Sequence, residues 1–296
     1  GGRAGELGGE VELVFNNLAV GQVMFGHTKT EGKAKQGKLS FKGTSLAGRG
    51  QMKGDMTLSQ GLPFNYELVW QGVASDDVLK TRQDAVLVSD ATIFSQGQLM
   101  DPKSISSSIK IHRARLKSGN LNFKLESEAL LTFANNRLSL LDFVFRGKSF
   151  QGSLSGDVWH AGDTAMRLRG QGEIGFLSLF LPNLDNAKGQ LHLDLQLDGE
   201  ATHPSVYGSA KIRKGSLALD WLATDVEDAG FDVMFLGRSL EIQKGRGTFG
   251  SGALRFWGEL FMPTKDDVSR MEFRSILDDA EFKVMPGMTM RASGAF

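Results

Sequence analysis

Apolar and polar residues alternate along many short stretches of this chain. The clearest stretch covers residues 46–58, where even positions are apolar or Gly and odd positions are polar apart from Ala47. A period of two is that of a β-strand, whose successive side chains point to opposite faces. Strands that are covered on both faces have unbroken apolar runs instead, so alternation favours an antiparallel sheet with one dry face. The sequence therefore predicts an all-β fold with a mostly antiparallel sheet.

The same alternation assigns many apolar side chains to one interior face of the predicted sheet. They are Val11, Leu13, Phe15, Leu46, Met52, Met56, Leu58, Phe64, Tyr66, Leu68, Trp70, Leu121, Phe123, Leu125, Leu154, Leu191, Leu193, Leu195, Leu197, Leu254, Phe256 and Leu260. We expect Arg49, Lys53, Asp194 and Gln196 to point to water. The structure can test this assignment clearly, because a slip of one residue moves every side chain of a strand to the other face.

Turn and helix patterns are few. The pairs Asn16-Asn17, Asn135-Asn136 and Gly237-Arg238 tolerate positive φ and predict turns. Short helices are predicted over residues 175–183, which include Pro182, and over the polar residues 76–84. Neither is long enough to span a membrane, so we expect one or two short helical plugs beside the sheet.

Internal repetition is visible in the glycines. Gly54, Gly156 and Gly258 follow one another at intervals of 102 residues. Each closes a segment with a Leu-x-apolar strand and a returning strand that carries Gly on its apolar face. The three segments are residues 39–56, 138–158 and 240–260. Glycine on an inward face lets a sheet bend or approach its neighbour closely, so the repeats predict an elongated, curved sheet built from hairpins.

Composition narrows the possible partners and compartments. The chain has 34 basic and 34 acidic residues, so no net field attracts nucleic acid, and none is expected as a partner. It has no Cys, which suits an oxidising compartment. No signal peptide and no apolar run near 18 residues occurs, so any export or anchoring determinant is expected outside this chain, as in an excised fragment.

The order of strands and turns near residue 200 follows a known pattern. A strand ends in Gly199, a turn runs from Pro204 to Gly208, the next strand ends in Gly215-Ser-Leu217, and a glycine-spaced hairpin follows at residues 240–260. This order resembles the repeated unit of the TamB and AsmA-like family. The resemblance is best over residues 175–262.

The resemblance implies a bacterial periplasmic protein, anchored in the inner membrane by a segment outside this chain. It implies a U-shaped β-sheet, or β-taco, with an apolar trough. Members of this family are associated with phospholipid transport to the outer membrane, and some with outer-membrane protein assembly beside an Omp85-type partner. We therefore expect a passive conduit for phospholipid acyl chains, with no enzymatic activity, cofactor or metal. The alternative is a translocation and assembly scaffold for outer-membrane proteins.

The same reasoning divides the chain into five segments. Residues 1–75 are expected to form a first β-repeat segment, and residues 76–118 a connecting region of uncertain fold. Residues 119–175 form the second repeat segment, residues 176–262 the third with a short helix at its start, and residues 263–296 begin a further repeat.

Other possible functions have weaker support. The G-x-G-x-x-G string at Gly245–Gly250 is followed by a strand pattern, whereas dinucleotide binding needs a helix there. The five His residues lie far apart without metal-ligand spacing, and the acidic clusters at 225–228 and 278–281 read as solvated loops. Phe supplies 20 of the aromatic residues, which favours lipid or core contacts over sugar binding. The sequence leaves open whether the inward side chains form an ordinary packed core.

Overall fold

The structure is a computed structural model in which nearly every described residue belongs to a β-strand. It describes residues 8–20, 23–78, 85–118, 121–159, 163–175, 188–200, 205–217, 226–261, 270–285 and 288–295. Each strand pair with an assigned register is antiparallel. The all-β, antiparallel fold class is thereby confirmed.

Nineteen strands, one short helix and one 3₁₀ turn are bounded within the described residues. The strands are β1 Gly9–Val20, β2 Val23–Lys35, β3 Lys38–Ser45, β4 Gly50–Thr57, β5 Pro63–Ala74, β6 Ala85–Gln98, β7 Asp101–Ser118, β8 Leu121–Leu125, β9 Ala129–Ala134, β10 Arg137–Gly147, β11 Phe150–Trp159, β12 Asp163–Glu173, β13 Lys188–Glu200, β14 Ser205–Leu217, β15 Val226–Gly237, β16 Ser239–Phe249, β17 Gly252–Phe261, β18 Arg270–Met285 and β19 Met288–Ala295. The helix α1 is Ser75–Val78, and the 3₁₀ turn is Leu46–Gly48.

Contacts divide the chain into two compact units. Unit 1 comprises residues 1–148 and 157–161, and unit 2 comprises residues 149–156 and 162–296. In unit 1, β1 to β7 pair in chain order, and β8 and β9 share one position between β7 and β10. In unit 2, β12 to β19 pair in chain order. Both units are therefore meanders, as short hairpin connections favour.

Each unit buries the apolar set of its alternating strands. The buried apolar residues of unit 1 are Leu46, Leu68, Val73, Ala91, Ala114, Phe123 and Ala129. Those of unit 2 are Phe150, Ile174, Leu191, Leu193, Ala210, Ile212, Ala229, Val233, Phe249, Phe256, Leu277 and Ala280. We call the side of each sheet that carries these residues its apolar face, and the opposite side its polar face.

Two boundaries differ from the sequence-based expectation. The strand predicted from residue 46 begins at Gly50, because Leu46 and Ala47 have φ of 52° and 54° and form the 3₁₀ turn after β3. Leu58 follows the end of β4. Alternation did not reveal these ends, since Leu46 is buried at 4 % exposure although it lies in a turn.

The predicted turns had mixed outcomes. Asn135 and Asn136, with φ of 52° and 59°, form the turn between β9 and β10, and Gly237 with φ of 80° ends β15. The turn predicted at Asn16-Asn17 is wrong. Both residues lie inside β1, where the register with β2 shifts between Phe15 and Leu18. An extra residue in one strand is a β-bulge, and Asn tolerates the irregular backbone that it requires.

The region predicted to have an uncertain connection is part of the sheet. β6 and β7 occupy most of residues 76–118 and pair along nearly their whole length. The helix predicted over residues 76–84 is the single turn α1, and residues 79–84 lie outside the described part of the chain. Residues 176–187, which include most of the other predicted helix, also lie outside it.

Candidate functional site

The two faces of unit 2 differ sharply in chemistry. Leu193, Ala210 and Val233 lie in one registered row across β13, β14 and β15, with exposures of 7 %, 4 % and 6 %. On the opposite side of β13, the Arg167 guanidinium donates to both carboxylate oxygens of Asp194, at 2.9 and 2.8 Å. Neighbouring residues of one strand therefore lie in an apolar and a charged environment.

The residues predicted to share an interior face fall into three groups by burial. The buried ones are Leu46, Leu68, Phe123, Leu191, Leu193 and Phe256. The half-buried ones are Met52, Met56, Leu58, Phe64, Tyr66, Trp70, Leu125, Leu154, Leu195, Leu197, Leu254 and Leu260. The exposed ones are Val11, Leu13 and Phe15, all in β1. The side chain of Leu121 lies outside the described part of the structure.

The exposure of β1 has a simple cause. Val11, Leu13 and Phe15 are 47 %, 46 % and 41 % exposed, and Val14 on the other face is 51 % exposed. β1 is registered against β2 on one side, from Gly9 to Val20. Among the described residues, β1 thus has an assigned register on one side, whereas β4 and β5 each have one on both sides.

Glycines on the apolar face lie under phenylalanine rings of the adjacent strand. A Cβ added at Gly54 would lie 2.5 Å from Cζ of Phe41, its registered partner. The same arrangement occurs at Gly147 with Phe123, Gly170 with Phe150, and Gly245 with Phe256. Aromatic rings that cover cross-strand glycines replace the packing that glycine lacks. The glycines thus leave room for the rings of the adjacent strand, a role that the sequence pattern did not reveal.

The rings also contact one another. In unit 2, Phe231 and Phe256 meet edge to face at 5.4 Å between centroids, and Phe256 stacks on Phe273 at 5.9 Å. Phe273 is nevertheless 50 % exposed. The aromatic row therefore extends from the packed interior of unit 2 to a surface that apolar groups can reach.

Unit 1 places hydroxyl groups among its apolar side chains. Ser95 and Ser107 are registered partners on β6 and β7, and their Oγ atoms lie 2.8 Å apart. Tyr66 is registered against Ser95, and burial raises the pKa of its phenol. Ser95 and Ser107 occupy the alternating positions next to Ile93 and Ile109, so the alternation contains the signal that would have found them. The sequence analysis did not place these serines on the apolar face, because serine is a polar residue.

Within the described part of unit 1, two buried polar atoms have no hydrogen-bond partner. They are Oγ of Ser45 and Nε1 of Trp70. Gly50 is registered against both residues, so all three lie in one row of the apolar face. An unsatisfied buried polar atom costs about 1–3 kcal/mol of stability. These two atoms therefore destabilise this end of the apolar face.

Ion pairs cover the polar face. Glu10 pairs with Lys33 at 2.8 Å, Glu12 with Lys29 at 2.9 Å, and Lys53 with Glu67 at 2.8 Å. One groove of about 660 Å³ in unit 1 is lined by residues of both faces, among them Lys53 and Glu67 of the polar face and Tyr66 and Ser95 of the apolar face. Because neighbouring charges neutralise one another, the polar face has little concentrated charge with which to attract an ionic ligand.

One cluster on the polar side of β6 and β7 has the hydroxyl–imidazole–carboxylate order of a catalytic triad. Nε2 of His112 lies 2.9 Å from Oγ1 of Thr92, and Nδ1 lies 2.7 Å from Oε1 of Glu128. Lys110 pairs with the other oxygen of Glu128 at 2.7 Å, and the His112 and Glu128 side chains are 37 % and 51 % exposed. Catalytic electrostatics depend on a site that excludes water, which this open surface does not. The cluster therefore carries no catalytic assignment.

Neither a metal-binding cluster nor a similarity to known proteins assigns a function to this chain. Across the described residues, no three His, Cys, Asp or Glu side chains cluster closely enough to hold a metal ion. None of the helices among them is long and apolar enough to cross a membrane. No family model, no curated protein and no solved structure matches this chain.

Proposed function

We propose that the chain is a passive conduit segment whose apolar face holds the acyl chains of phospholipids. The observation that carries this proposal is that the protein covers its apolar face only in part. Residues such as Met56, Phe64, Leu195 and Leu260 point to that face and remain half-buried. An ordinary core would bury side chains of this size almost completely.

Simple energetics supports passive movement. Each methylene that leaves water for an apolar surface contributes roughly 0.8 kcal/mol. A chain that slides along a continuous apolar row keeps about the same area buried, so its movement needs no energy source. The resemblance to TamB and AsmA-like proteins extends this proposal to the bacterial periplasm, with transport between inner and outer membranes and an inner-membrane anchor outside this chain.

Site-specific photo-crosslinking tests whether lipid occupies the apolar face. A photo-reactive amino acid is placed at Leu195 or Met56, and matched controls carry it at the neighbouring polar-face positions Gln196 and Asp55. Labelled phospholipid should crosslink from the first pair and not from the second, because successive strand residues face opposite ways. Equal labelling at all four positions, or none at any, would rule out the conduit.

A charge substitution separates a conduit from a packed core. In Leu195→Asp, a carboxylate enters a half-buried part of the apolar face, and Gln196→Asp is the matched control. If the chain is a conduit, the melting temperature of Leu195→Asp should be close to that of the wild type. A photo-reactive residue at Met166, which is registered against Leu197, should then no longer crosslink to lipid in this variant. Global unfolding of unit 2 by Leu195→Asp would instead show a close-packed core.

The second candidate function is a scaffold for β-strands of outer-membrane proteins, with an Omp85-type partner. It is favoured by β1, in which Val11, Leu13 and Phe15 are exposed and which, among the described residues, has an assigned register with β2 alone. An unpaired strand side is a template for strand addition. A photo-reactive residue at Leu13 should then crosslink to an alternating apolar–polar strand peptide, and a peptide with the same composition in scrambled order should not. Equal crosslinking of the two peptides would remove this candidate.

A further inference from the structure

Several hairpin turns of unit 1 lie along one edge of its sheet. Because consecutive strands alternate in direction, the turns that join β2 to β3, β4 to β5, β6 to β7 and β9 to β10 share that edge. Backbone hydrogen bonds connect three of them. The Leu58 amide donates to the Gly37 carbonyl at 2.7 Å, and the Met100 amide donates to the Gly61 carbonyl at 3.2 Å. We call this edge, with residues 35–38, 58–62 and 99–103, the turn edge.

The turn edge carries an apolar tip. Met100 is 72 % exposed and Leu99 is 51 % exposed, at the turn between β6 and β7. Such turns are usually built from Gly, Asn and Asp. The tip is held by its flanks, since Oγ of Ser104 donates to the Asp101 carbonyl at 2.7 Å and accepts from the Gln98 amide at 2.8 Å. Two large apolar side chains are thus presented to solvent on an ordered turn.

The same edge carries three lysines outside the ion pairs that the described residues form. Lys35, Lys38 and Lys103 are exposed, and none of them forms an ion pair with any residue that the structure describes. Lys35 and Lys38 are registered directly opposite each other. Like charges in that position destabilise a hairpin. The Asp101 carboxylate, which lies nearby, accepts from the Lys103 amide at 3.3 Å and leaves the ammonium group free.

We propose that the turn edge docks on the surface of an anionic phospholipid bilayer. Leu99 and Met100 enter the headgroup boundary, and Lys35, Lys38 and Lys103 contact lipid phosphates. Apolar side chains at the tip of a polar, cationic surface are what interfacial binding requires. Unpaired lysines near a membrane add attraction to anionic lipids that fades with salt.

Bilayer docking goes beyond the conduit and does not depend on it. The apolar face begins beside the turn edge, where Met56 and Phe64 are registered partners a few residues from the turn at 58–62. If both proposals hold, a lipid that leaves the bilayer reaches the apolar face of unit 1 through a short path. If the conduit fails, docking still stands as a membrane contact.

Vesicle co-sedimentation of the whole chain tests the docking surface. Vesicles of phosphatidylcholine with phosphatidylglycerol should bind the protein, and pure phosphatidylcholine vesicles should bind it far less. The triple variant Lys35→Gln/Lys38→Gln/Lys103→Gln should lower partitioning about fivefold per lysine, or about a hundredfold in all. The double variant Leu99→Ser/Met100→Ser should lower it at least about tenfold.

Matched controls use other exposed residues of unit 1. Lys117 and Lys148 lie toward the opposite edge, which also carries Asp76 and Asp77, and Lys117→Gln/Lys148→Gln should bind like the wild type. Leu141, which is 53 % exposed in β10, provides Leu141→Ser as the apolar control. Binding that is insensitive to lipid charge, or equal losses in the control variants, would overturn the proposal.

A label at the tip gives a readout that does not depend on folding defects or on lipid transfer. The chain has no Cys, so Met100→Cys provides a single thiol for an environment-sensitive fluorophore. Its emission should shift to the blue with phosphatidylglycerol vesicles, and the same label at Leu141→Cys should not shift. Absence of a shift at Met100 overturns the docking and leaves the conduit to be judged by the Leu195 and Met56 crosslinks.

Discussion

Strand β1 of unit 1 and strand β13 of unit 2 have the same sequence pattern, but their apolar side chains are buried to different extents. In unit 2, Leu191 is completely buried and Leu193 is 7 % exposed. In unit 1, Leu13 occupies an equivalent alternating position of β1 and is 46 % exposed. The difference shows that alternation determines which way a side chain points, whereas the neighbouring strands determine whether it is buried.

The two faces also differ in their polar content. Unit 1 contains the Ser95–Ser107 hydroxyl pair and the unpartnered Oγ of Ser45. In unit 2, Thr164 is the buried polar residue that the structure describes, and it has a partner. Unit 2 also carries a half-buried serine on its apolar face, Ser275, which is registered against Phe256. The contrast therefore lies in the direct contact between two hydroxyl groups in unit 1.

The same Leu→Asp substitution in β13 and in β1 should give the largest difference in stability. Leu191→Asp places a carboxylate at a fully buried position and should destabilise unit 2 by more than about 4 kcal/mol. Leu13→Asp adds the same charge at an exposed position and should cost less than about 1 kcal/mol. Urea unfolding of both variants measures the difference. Similar losses would show that β1 is covered in solution.

Glycine substitutions should give the next largest contrast. A Cβ at Gly245 would lie 2.6 Å from the Phe256 carbonyl oxygen and against its ring, so Gly245→Ala should cost about 1–3 kcal/mol. At Gly32 the nearest atoms are Cγ1 of Val11 at 3.2 Å and Cδ1 of Leu39 at 3.3 Å. These side chains can shift, so Gly32→Ala should cost under about 1 kcal/mol by the same measurement. A reversed order would contradict the ring-over-glycine packing.

Removal of a hydroxyl should change stability in opposite directions in the two units. Ser45→Ala eliminates an unpartnered buried hydroxyl, so the free energy of unfolding should rise by up to about 1 kcal/mol. Thr164 is buried and takes part in an interaction, so Thr164→Val, which removes its hydroxyl, should lower the free energy of unfolding by about 1 kcal/mol. Thermal and urea unfolding give both values. A loss of stability in Ser45→Ala would mean that an ordered water satisfies that hydroxyl.

The smallest expected effect is the stability that unit 2 loses at low pH through one ion pair of its polar face. Hydrogen bonds and charge from Arg167 lower the pKa of Asp194, whose side chain is 48 % exposed. Because this pKa is lowered, Asp194 makes its full contribution to the free energy of unfolding above the unfolded pKa of about 4. The contribution is lost as the pH falls through the pKa of the folded state. Because the pair is exposed, it should contribute under about 1 kcal/mol.

A comparison of stability at pH 6 and pH 3 measures this contribution. Asp194→Asn should remove the part of the pH dependence below about 4 that belongs to this pair. The control is Asp198→Asn, which alters a polar-face carboxylate of the same strand. If both variants keep the wild-type pH profile, the Arg167 pair contributes no measurable stability.

Several structural features followed directly from the sequence. The period of two in residues 190–197 predicted a strand with Leu193 and Asp194 on opposite faces, and the structure places Leu193 in the interior and Asp194 beside Arg167. This was possible because the direction of successive side chains is a local property of extended backbone. The Asn135-Asn136 turn is local in the same sense, since two residues with positive φ suffice to reverse the chain.

Other features were decided by the tertiary structure alone. No local pattern shows that the ring of Phe256 covers Gly245, or that Ser95 meets Ser107, because both pairs depend on the register between strands. Likewise, Leu46 reads as the first residue of a strand but lies in a turn that its burial stabilises. The sequence by itself determined the β-structure and the direction of side chains along each strand. Register, closure and the meeting of distant residues needed the tertiary structure, because they arise from contacts between separate segments of the chain.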